Sequence, residues 1–442
     1  MHKKRIMKAG IWLIVVFGLT QLIRLASNIA LTRLLHPEIF GLMAVVSSLM
    51  AGFAMFTDVG LNPFIIRHKR GLKKDILNCV WKMQVIRGWL ITILAFAIAF
   101  TLYIYQAFFS VDTNNVFSES ELPMILAVVA IASLITAYQS LAKPILTKKL
   151  ISGPMELIDL SAQVLVTVVT ITLAYFMGNI WSLVIGLVFA NVYKTLLVNK
   201  LFSFKHKFEW TKETYTEVIN FGKWIFIASG ITFIANQGDR LILSTNISSS
   251  ELGYYFIACM MIDAAIMLIR RFVSNVWLPV FSVSANKSID ELFAKYNKAR
   301  FIQDIPVFVI VGFILAYSGH IVDILYDSRY ADVSWMLQFL SFNIVAVALS
   351  AAGLECLSAL GFTKIRTQII TIQALVLFIF LPIILPLYGL KSALLVIVVS
   401  YFAPIPLLYL TLSKYKLFSF WIELRYLPLL YLSYEFFSMV KF

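Results

Sequence analysis

The feature that most constrains this chain is its alternation of long apolar runs with short basic clusters. A helix of roughly 20 apolar residues covers a bilayer core about 30 Å thick. Runs of that order lie at about 9–35, 40–66, 77–108, 121–142, 155–177 and 180–199. After a polar stretch they resume at 218–244, 252–280, 301–325, 333–360, 367–388 and 391–412. Segments this long and apolar satisfy their backbone groups in lipid only as helices. The chain therefore reads as an all-α polytopic membrane protein with about 12 transmembrane helices. Of its 442 residues 60% are hydrophobic and 14% charged. Soluble domains carry about a quarter charged residues, so a soluble multi-domain architecture is excluded. The third run is too long for a straight crossing and is expected to start at the interface.

The net charge of +14 does not point to nucleic acid, because no basic domain is present along which a phosphate backbone could lie. Of the 37 Lys and Arg residues, 26 fall in one set of alternate loops, around 3–8, 67–74, 143–149, 194–212, 287–300, 364–366 and 414–425. The other set holds only Arg33, Arg329 and Lys391. Positive residues accumulate on the cytoplasmic side, which puts both termini there and agrees with an even number of crossings. MHKKRIMK followed by an apolar run resembles a signal peptide. No small-residue cleavage site follows, so an uncleaved first helix is expected. Cys79, Cys259 and Cys356 lie in or beside apolar runs and read as free thiols, and the five histidines are scattered without zinc spacing. The longest outward loop is 110–120. The longest inward connection, 201–217, separates an N-terminal lobe, 1–200, from a C-terminal lobe, 218–413. The tail, 414–442, holds an apolar piece of 14 residues, Leu427–Val440, expected to be interfacial or partly inserted.

Polar residues inside apolar helices mark where chemistry happens. The first run carries Thr20, Gln21, Arg24 and Asn28, and the second carries Asp58 in its second half. Intramembrane charges face a bundle interior or a cavity. The chain also repeats at an offset of 212 residues, which lays Gly41 on Gly253, Leu31 on Leu243, Thr20 on Thr232, Arg24 on Asn236, Asn28 on Arg240 and Asp58 on Arg270. Spacing i, i+4, i+8 keeps each polar set on one helix face. The offset is close to half the chain and maps crossings of equal orientation onto each other. It predicts two six-helix lobes in a parallel pseudo-twofold repeat. The Arg moves by one turn between the copies, so a cavity between the lobes is expected to carry positive charge at two depths.

Arg24-x-x-x-Asn28, then LTRLLHPEIFGLMAVV and FTDVGL, resembles the opening of Wzx-type polysaccharide biosynthesis proteins. These are oligosaccharide flippases in the superfamily that includes the multidrug and toxin extruders. QGDRLILSTNISSSELGYYFIA and LYDSRYADVSWMLQFLS are similar to the family's seventh-helix and tenth-span regions. The resemblance covers 10–415. Some relatives have two further full helices, and the resemblance departs from them at the short tail. The resemblance implies a multi-pass protein of the bacterial inner membrane that works by alternating access. Its substrate would be an undecaprenyl-pyrophosphate-linked oligosaccharide repeat unit, carried from the cytoplasmic to the periplasmic leaflet for O-antigen, capsule or exopolysaccharide synthesis. Membrane lipids, and a glycan polymerase with its chain-length machinery, are the implied partners. No cofactor is expected beyond a coupling proton or sodium ion.

Arg24 suits the pyrophosphate, since guanidinium pairs well with phosphate oxygens, and Arg240 could serve from the second lobe. Asn28, Asn236, Gln21, Thr20 and Thr232 would hydrogen-bond to sugar hydroxyls or phosphate. Asp58, Asp239, Asp263 and Arg270 are the expected coupling or gate groups, because a carboxylate in a membrane interior can take up a proton. The structural alternative is that Arg24 pairs with Asp58 and Arg240 with its neighbours as interhelical locks. Pro382, Pro386, Pro404 and Pro406 are expected to break helical ladders. Two other functions compete. An extruder of small cations would favour acidic and aromatic residues over Arg. A membrane glycan polymerase, ligase or glycosyltransferase would need a sizeable catalytic loop, and no outward loop here is large enough to fold independently. The expectation is therefore not an enzyme.

Overall fold

The computed structural model describes residues 2–108, 116–149, 151, 153–204, 206–362, 364–421 and 427–439, with no side chains given for 2–15, 17 and 427. Most of the expected 110–120 loop lies outside the described residues. The described chain is helical throughout, and it divides into two compact units, Met1–Phe233 and Ile234–Phe442.

The first unit begins with α1 (His2–Leu34), α2 (Pro37–Phe56), α3 (Leu61–Arg67) and α4 (Lys74–Phe108). It continues with α5 (Leu122–Ala137), α6 (Ala142–Lys148), α7 (Gly153–Met177), α8 (Trp181–Leu201) and most of α9 (Lys212–Leu243). The second unit contains α10 (Ser249–Phe272), a π-helical turn (Val273–Trp277), α11 (Leu278–Ala285) and α12 (Ile289–Leu325). After these come α13 (Val333–Ala359), α14 (Lys364–Phe402), α15 (Ile405–Lys414) and α16 (Leu427–Met439).

Among the described residues nine helices are long and apolar enough to cross a membrane, and the bent pair α5–α6 makes ten. The stretch Lys364–Lys414 counts once there but breaks at Gly389, where φ is 74° and ψ −175°. That region of backbone space is open only to glycine, so Gly389 ends one crossing and begins the next. α1, 33 residues long, adds a further helix of crossing length. Pro382 and Pro386 lie inside α14, where each removes one ladder hydrogen bond, and Pro404 separates α14 from α15.

The repeat is visible in the starts of several helices. α2 starts at Pro37 and α10 at Ser249, an offset of 212 residues. α5 starts at Leu122 and α13 at Val333, and α7 at Gly153 and α14 at Lys364, offsets of 211. Packing repeats too: α5 rests on α2, α4 and α8, as α13 rests on α10, α12 and α15. α13 is the core of its unit, with 72% of its apolar window buried against 22–44% for the other crossings.

Two crossings of the first unit are broken rather than continuous. The expected run 40–66 stops at Phe56 and restarts at Leu61, because Asp58 Oδ1 accepts the Gly60 N–H at 3.0 Å while Gly60 adopts φ 65°. A side chain at Gly60 would also meet Ile225 Cδ1 at 2.2 Å. The run 121–142 bends by 48° between α5 and α6. Freed carbonyls there need donors, and Gln84 Nε2 gives hydrogen bonds to Ala137 O at 2.8 Å and Gln139 O at 2.9 Å. Asn199 accepts from the Ser140 N–H at 2.7 Å. α3 packs on α6 around Leu61, Phe64, Ile65, Leu141 and Ile145.

His206, Phe208 and Trp210, between α8 and α9, lie against the early turns of α4. Lys82 Nζ sits 3.8 Å from the Trp210 ring centre and 4.8 Å from that of Phe208, while Trp81 stacks on His206 at 5.7 Å. Burial pushes the His206 imidazole below its ordinary value of 6.5. Asp159 pairs with Lys194 at 2.5 Å and Lys143 at 3.8 Å. Arg300, counted with the inward loop on sequence, is fully buried in α12, paired with Asp304 at 2.8 Å and donating to Leu349 O of α13 at 2.8 Å. α16 has 13 residues, about 20 Å of helix, too short to cross a 30 Å core. It docks beside the middle of α12, where Ser433 Oγ donates to Phe308 O at 3.2 Å and Phe437 packs on Phe313 at 5.2 Å.

Candidate functional site

At about 100° per residue the faces of α1 separate cleanly. Leu19, Leu22 and Leu25 are exposed and form its lipid face, with Leu22 64% accessible. Val16, Ser27 and Leu31 are buried, and α1 packs on α7. Thr20, Arg24 and Asn28 fall on the side away from the exposed leucines. Arg24 is exposed, and neither an ion pair nor a hydrogen bond ties it among the described residues; Asn28, half-buried, has no hydrogen-bond partner among them either. An unpaired guanidinium in an apolar helix is held there against a large desolvation penalty, unless the face it occupies is wet. Thr20 Oγ1 turns back onto Val16 O at 2.8 Å, and Gln21 is engaged in contacts of its own.

The matched stripe on α9 is arranged differently. Thr232 repeats the Thr20 geometry, its Oγ1 donating to Ala228 O at 2.7 Å, and Asn236 is exposed like Arg24. Arg240 is engaged. Its guanidinium lies 3.3 Å from Asp263 Oδ2 on α10, donates to Gln237 Oε1 at 3.2 Å, and packs over the Phe256 ring at 5.2 Å. Arg240 is only 13% exposed while Asp263 is 55% exposed, so the carboxylate forms the open end of the pair. Asp239 accepts a hydrogen bond from the Tyr255 hydroxyl, and Tyr255 is fully buried. Asp239 Oδ1 and Arg240 Nε are buried without a hydrogen-bond partner within the protein, so the network retains one free acceptor and one free donor. Arg270 is exposed, two turns beyond Asp263 on α10.

Asp58 does not meet Arg24. It pairs with Arg87 of α4 at 3.5 Å. Arg87 also donates to Thr57 Oγ1 at 3.1 Å and Ala54 O at 2.6 Å, which fastens the broken end of α2. Sequence reasoning missed Arg87, although it is a charge inside the apolar run 77–108, the same signal that singles out Arg24. It missed Tyr255 because nothing sets that tyrosine apart from the aromatic residues around it. Among the described residues no group of three or more His, Cys, Asp or Glu side chains could hold a metal ion.

The fold is that of known transporters. A lipid II flippase, MurJ, in an inward closed conformation superimposes with a TM-score of 0.74 at 16% identity, covering 97% of this chain and 98% of that one. A multidrug resistance MATE family transporter of the MOP superfamily, inward-facing, gives 0.70 at 15% identity over 91% of this chain and 99% of that one. A MOP superfamily transporter from Pyrococcus furiosus, described as having a binding pocket of reversed polarity, gives 0.62 at 16% identity over 94% and 96%. An uncharacterized membrane protein of Methanocaldococcus jannaschii, MJ1068, is 21% identical over 427 residues, 91% of this chain and 82% of that protein. Residues 30–335 match the polysaccharide biosynthesis protein family. With that match over more than half of its length, the chain belongs to the polysaccharide biosynthesis protein family.

Proposed function

We propose that this multi-pass membrane protein is a flippase that carries an undecaprenyl-pyrophosphate-linked oligosaccharide repeat unit across the bacterial inner membrane. The two six-helix lobes, 1–200 and 218–413, would alternate access from the cytoplasmic to the outer leaflet, with both termini cytoplasmic. The product is used for a surface polysaccharide such as O-antigen, capsule or exopolysaccharide, and a polymerase with its chain-length partners takes it up. The observation that carries this reading is Arg24, exposed and without a partner on the polar face of α1. A diphosphate offers that guanidinium two to four acceptor oxygens in place of the water it forgoes. Asn28 and Asn236, both polar and without protein partners, suit sugar hydroxyls.

The second unit supplies the coupling. Asp239, Asp263 and Arg240 form a charged network with one unmet acceptor, Asp239 Oδ1. In this reading a proton or sodium ion taken up at the carboxylates loosens the hold on Arg240, and Arg270 and the Asp58–Arg87 pair act as gate elements. An extruder of small cations is disfavoured on the same observations: Asp239 and Asp263 already have partners in Tyr255 and Arg240, Asp58 has one in Arg87, and the unpaired charge on α1 is a cation. The family and the fold speak for transport rather than catalysis.

Deletion followed by lipid analysis tests the proposal. Complete lipid-linked repeat units accumulating on the cytoplasmic face are the expected result. A block before the unit is complete would instead point to a glycan-building enzyme.

A further inference from the structure

A second basic site lies in the first unit, away from the α1 stripe. Where α3 gives way to the 67–74 loop, Phe64, Arg67, His68, Lys69, Arg70 and Phe221 wall a cavity of about 530 Å³. That is within the range of roughly 300–1,000 Å³ usual for small-molecule sites. Its charge is not balanced. Arg70 is held by Glu217 at 2.6 Å and Glu213 at 3.9 Å, and His68 Nε2 approaches Glu217 at 3.6 Å. Arg67 and Lys69 are exposed and tied to no acid among the described residues. His68 Nδ1 is buried without a hydrogen-bond partner.

The site is built, not incidental. His68 stacks on Phe64 at 4.8 Å, and Phe64 meets Phe221 edge-on at 5.5 Å. Lys148 of α6 reaches across to donate to Ile65 O at 2.9 Å and to His68 O, which fixes the end of α3. Gly71 closes the loop against the same carbonyl: a Cβ there would lie 2.1 Å from Ile65 O. The basic loop is thus clamped at the level where apolar α3, with Ile65 and Ile66, ends and charge begins.

We propose that this cavity binds the phosphate headgroup of an anionic membrane lipid. Arg67 and Lys69 supply the charge, the His68 ring nitrogen supplies a hydrogen bond, and the half-buried Phe221 ring, backed by buried Phe64, faces the glycerol and upper acyl chain. Juxtamembrane basic clusters attract anionic lipid through the surface field, and a preformed pocket adds selectivity. The aromatic walls and the adjoining apolar helix favour a headgroup that stays in the membrane over a phosphate free in solution. The site shares no residue with the α1 stripe and does not depend on the cargo carried there.

The test uses the full-length purified chain in neutral detergent, titrated with dioctanoyl phosphatidylglycerol and followed by native mass spectrometry. Binding is expected to weaken by about tenfold or more in Arg67→Gln/Lys69→Gln, and in the same direction in Lys69→Glu alone. A control, Lys295→Gln/Lys298→Gln, removes two positive charges elsewhere and is expected to stay within about twofold of the parent. Both pocket side chains are exposed, so these variants keep the parent's melting temperature. Dioctanoyl phosphatidylcholine and inorganic pyrophosphate are the competitors, and neither is expected to displace the lipid. Unchanged affinity in both pocket variants overturns the proposal, as does equal binding of the zwitterionic lipid. Displacement by pyrophosphate overturns it in favour of a site for a free anion.

Discussion

The two polar stripes occupy equivalent places in the repeat and have met opposite fates. On α1 the cation stands alone: Arg24 is exposed, and the acid in the neighbouring crossing, Asp58, is engaged by Arg87. On α9 the cation is one turn further along and is enclosed: Arg240 is held by Asp263 and Gln237 beside the Asp239–Tyr255 pair. The lesson is that a repeat can conserve helix positions to within a residue and still divide labour. A charge left unpaired in a membrane stays available to a ligand, whereas one that is paired becomes part of the frame.

The comparison breaks most readily at Arg24. Arg24→Ala should abolish glycan export at matched expression with the protein still inserted, and Arg24→Lys should retain part of it. Full export by the alanine variant would leave α1 no different from α9. The next largest effect lies in the frame. Arg300→Ala strands a fully buried Asp304 and should destabilise by about 3–5 kcal/mol in chemical denaturation. Exchanging both partners for apolar residues should recover most of that loss. A smaller effect is expected for the α9 network. A double-mutant cycle of Arg240→Ala and Asp263→Ala should give a coupling of about 0.5–1 kcal/mol, kept low because Asp263 is largely exposed. The same cycle on Arg24 and Asp58 should give none.

The smallest effect is a pH dependence. Burial holds His206 neutral, its proton affinity below the ordinary 6.5. A base depressed on folding adds stability above its unfolded value and loses it as pH falls through that value. The 202–211 connection should therefore become more open to limited proteolysis below about pH 6.5. His206→Phe, which keeps the stack on Trp81, should remove the pH dependence.

The crossings were legible because hydropathy alone dictates helices of membrane length, and the repeat because Gly41 and Gly253 mark the same place in both halves. The breaks were not. Asp58 and Gly60 interrupt a helix through one hydrogen bond and a positive φ, which hydropathy does not register. The i, i+4 spacing of Arg300 and Asp304 was in plain view. The loop count 287–300 takes in Arg300 while Asp304 falls in the crossing 301–325, and only the packing of α12 on α13 reveals a buried pair. At the candidate site the sequence named Arg24, Arg240 and Asp263 but could not tell which acid each arginine meets. That depends on Arg87 and Tyr255, residues whose part is fixed by a neighbouring helix rather than by the local pattern.

Gly389 has a mechanical corollary. The two crossings it joins are linked by a single residue, so the hairpin has no slack. Neither crossing can slide along its axis or tilt without dragging the other, and the pair must travel as one blade. Splicing a few flexible residues in after Gly389 would turn that blade into two loosely tethered rods.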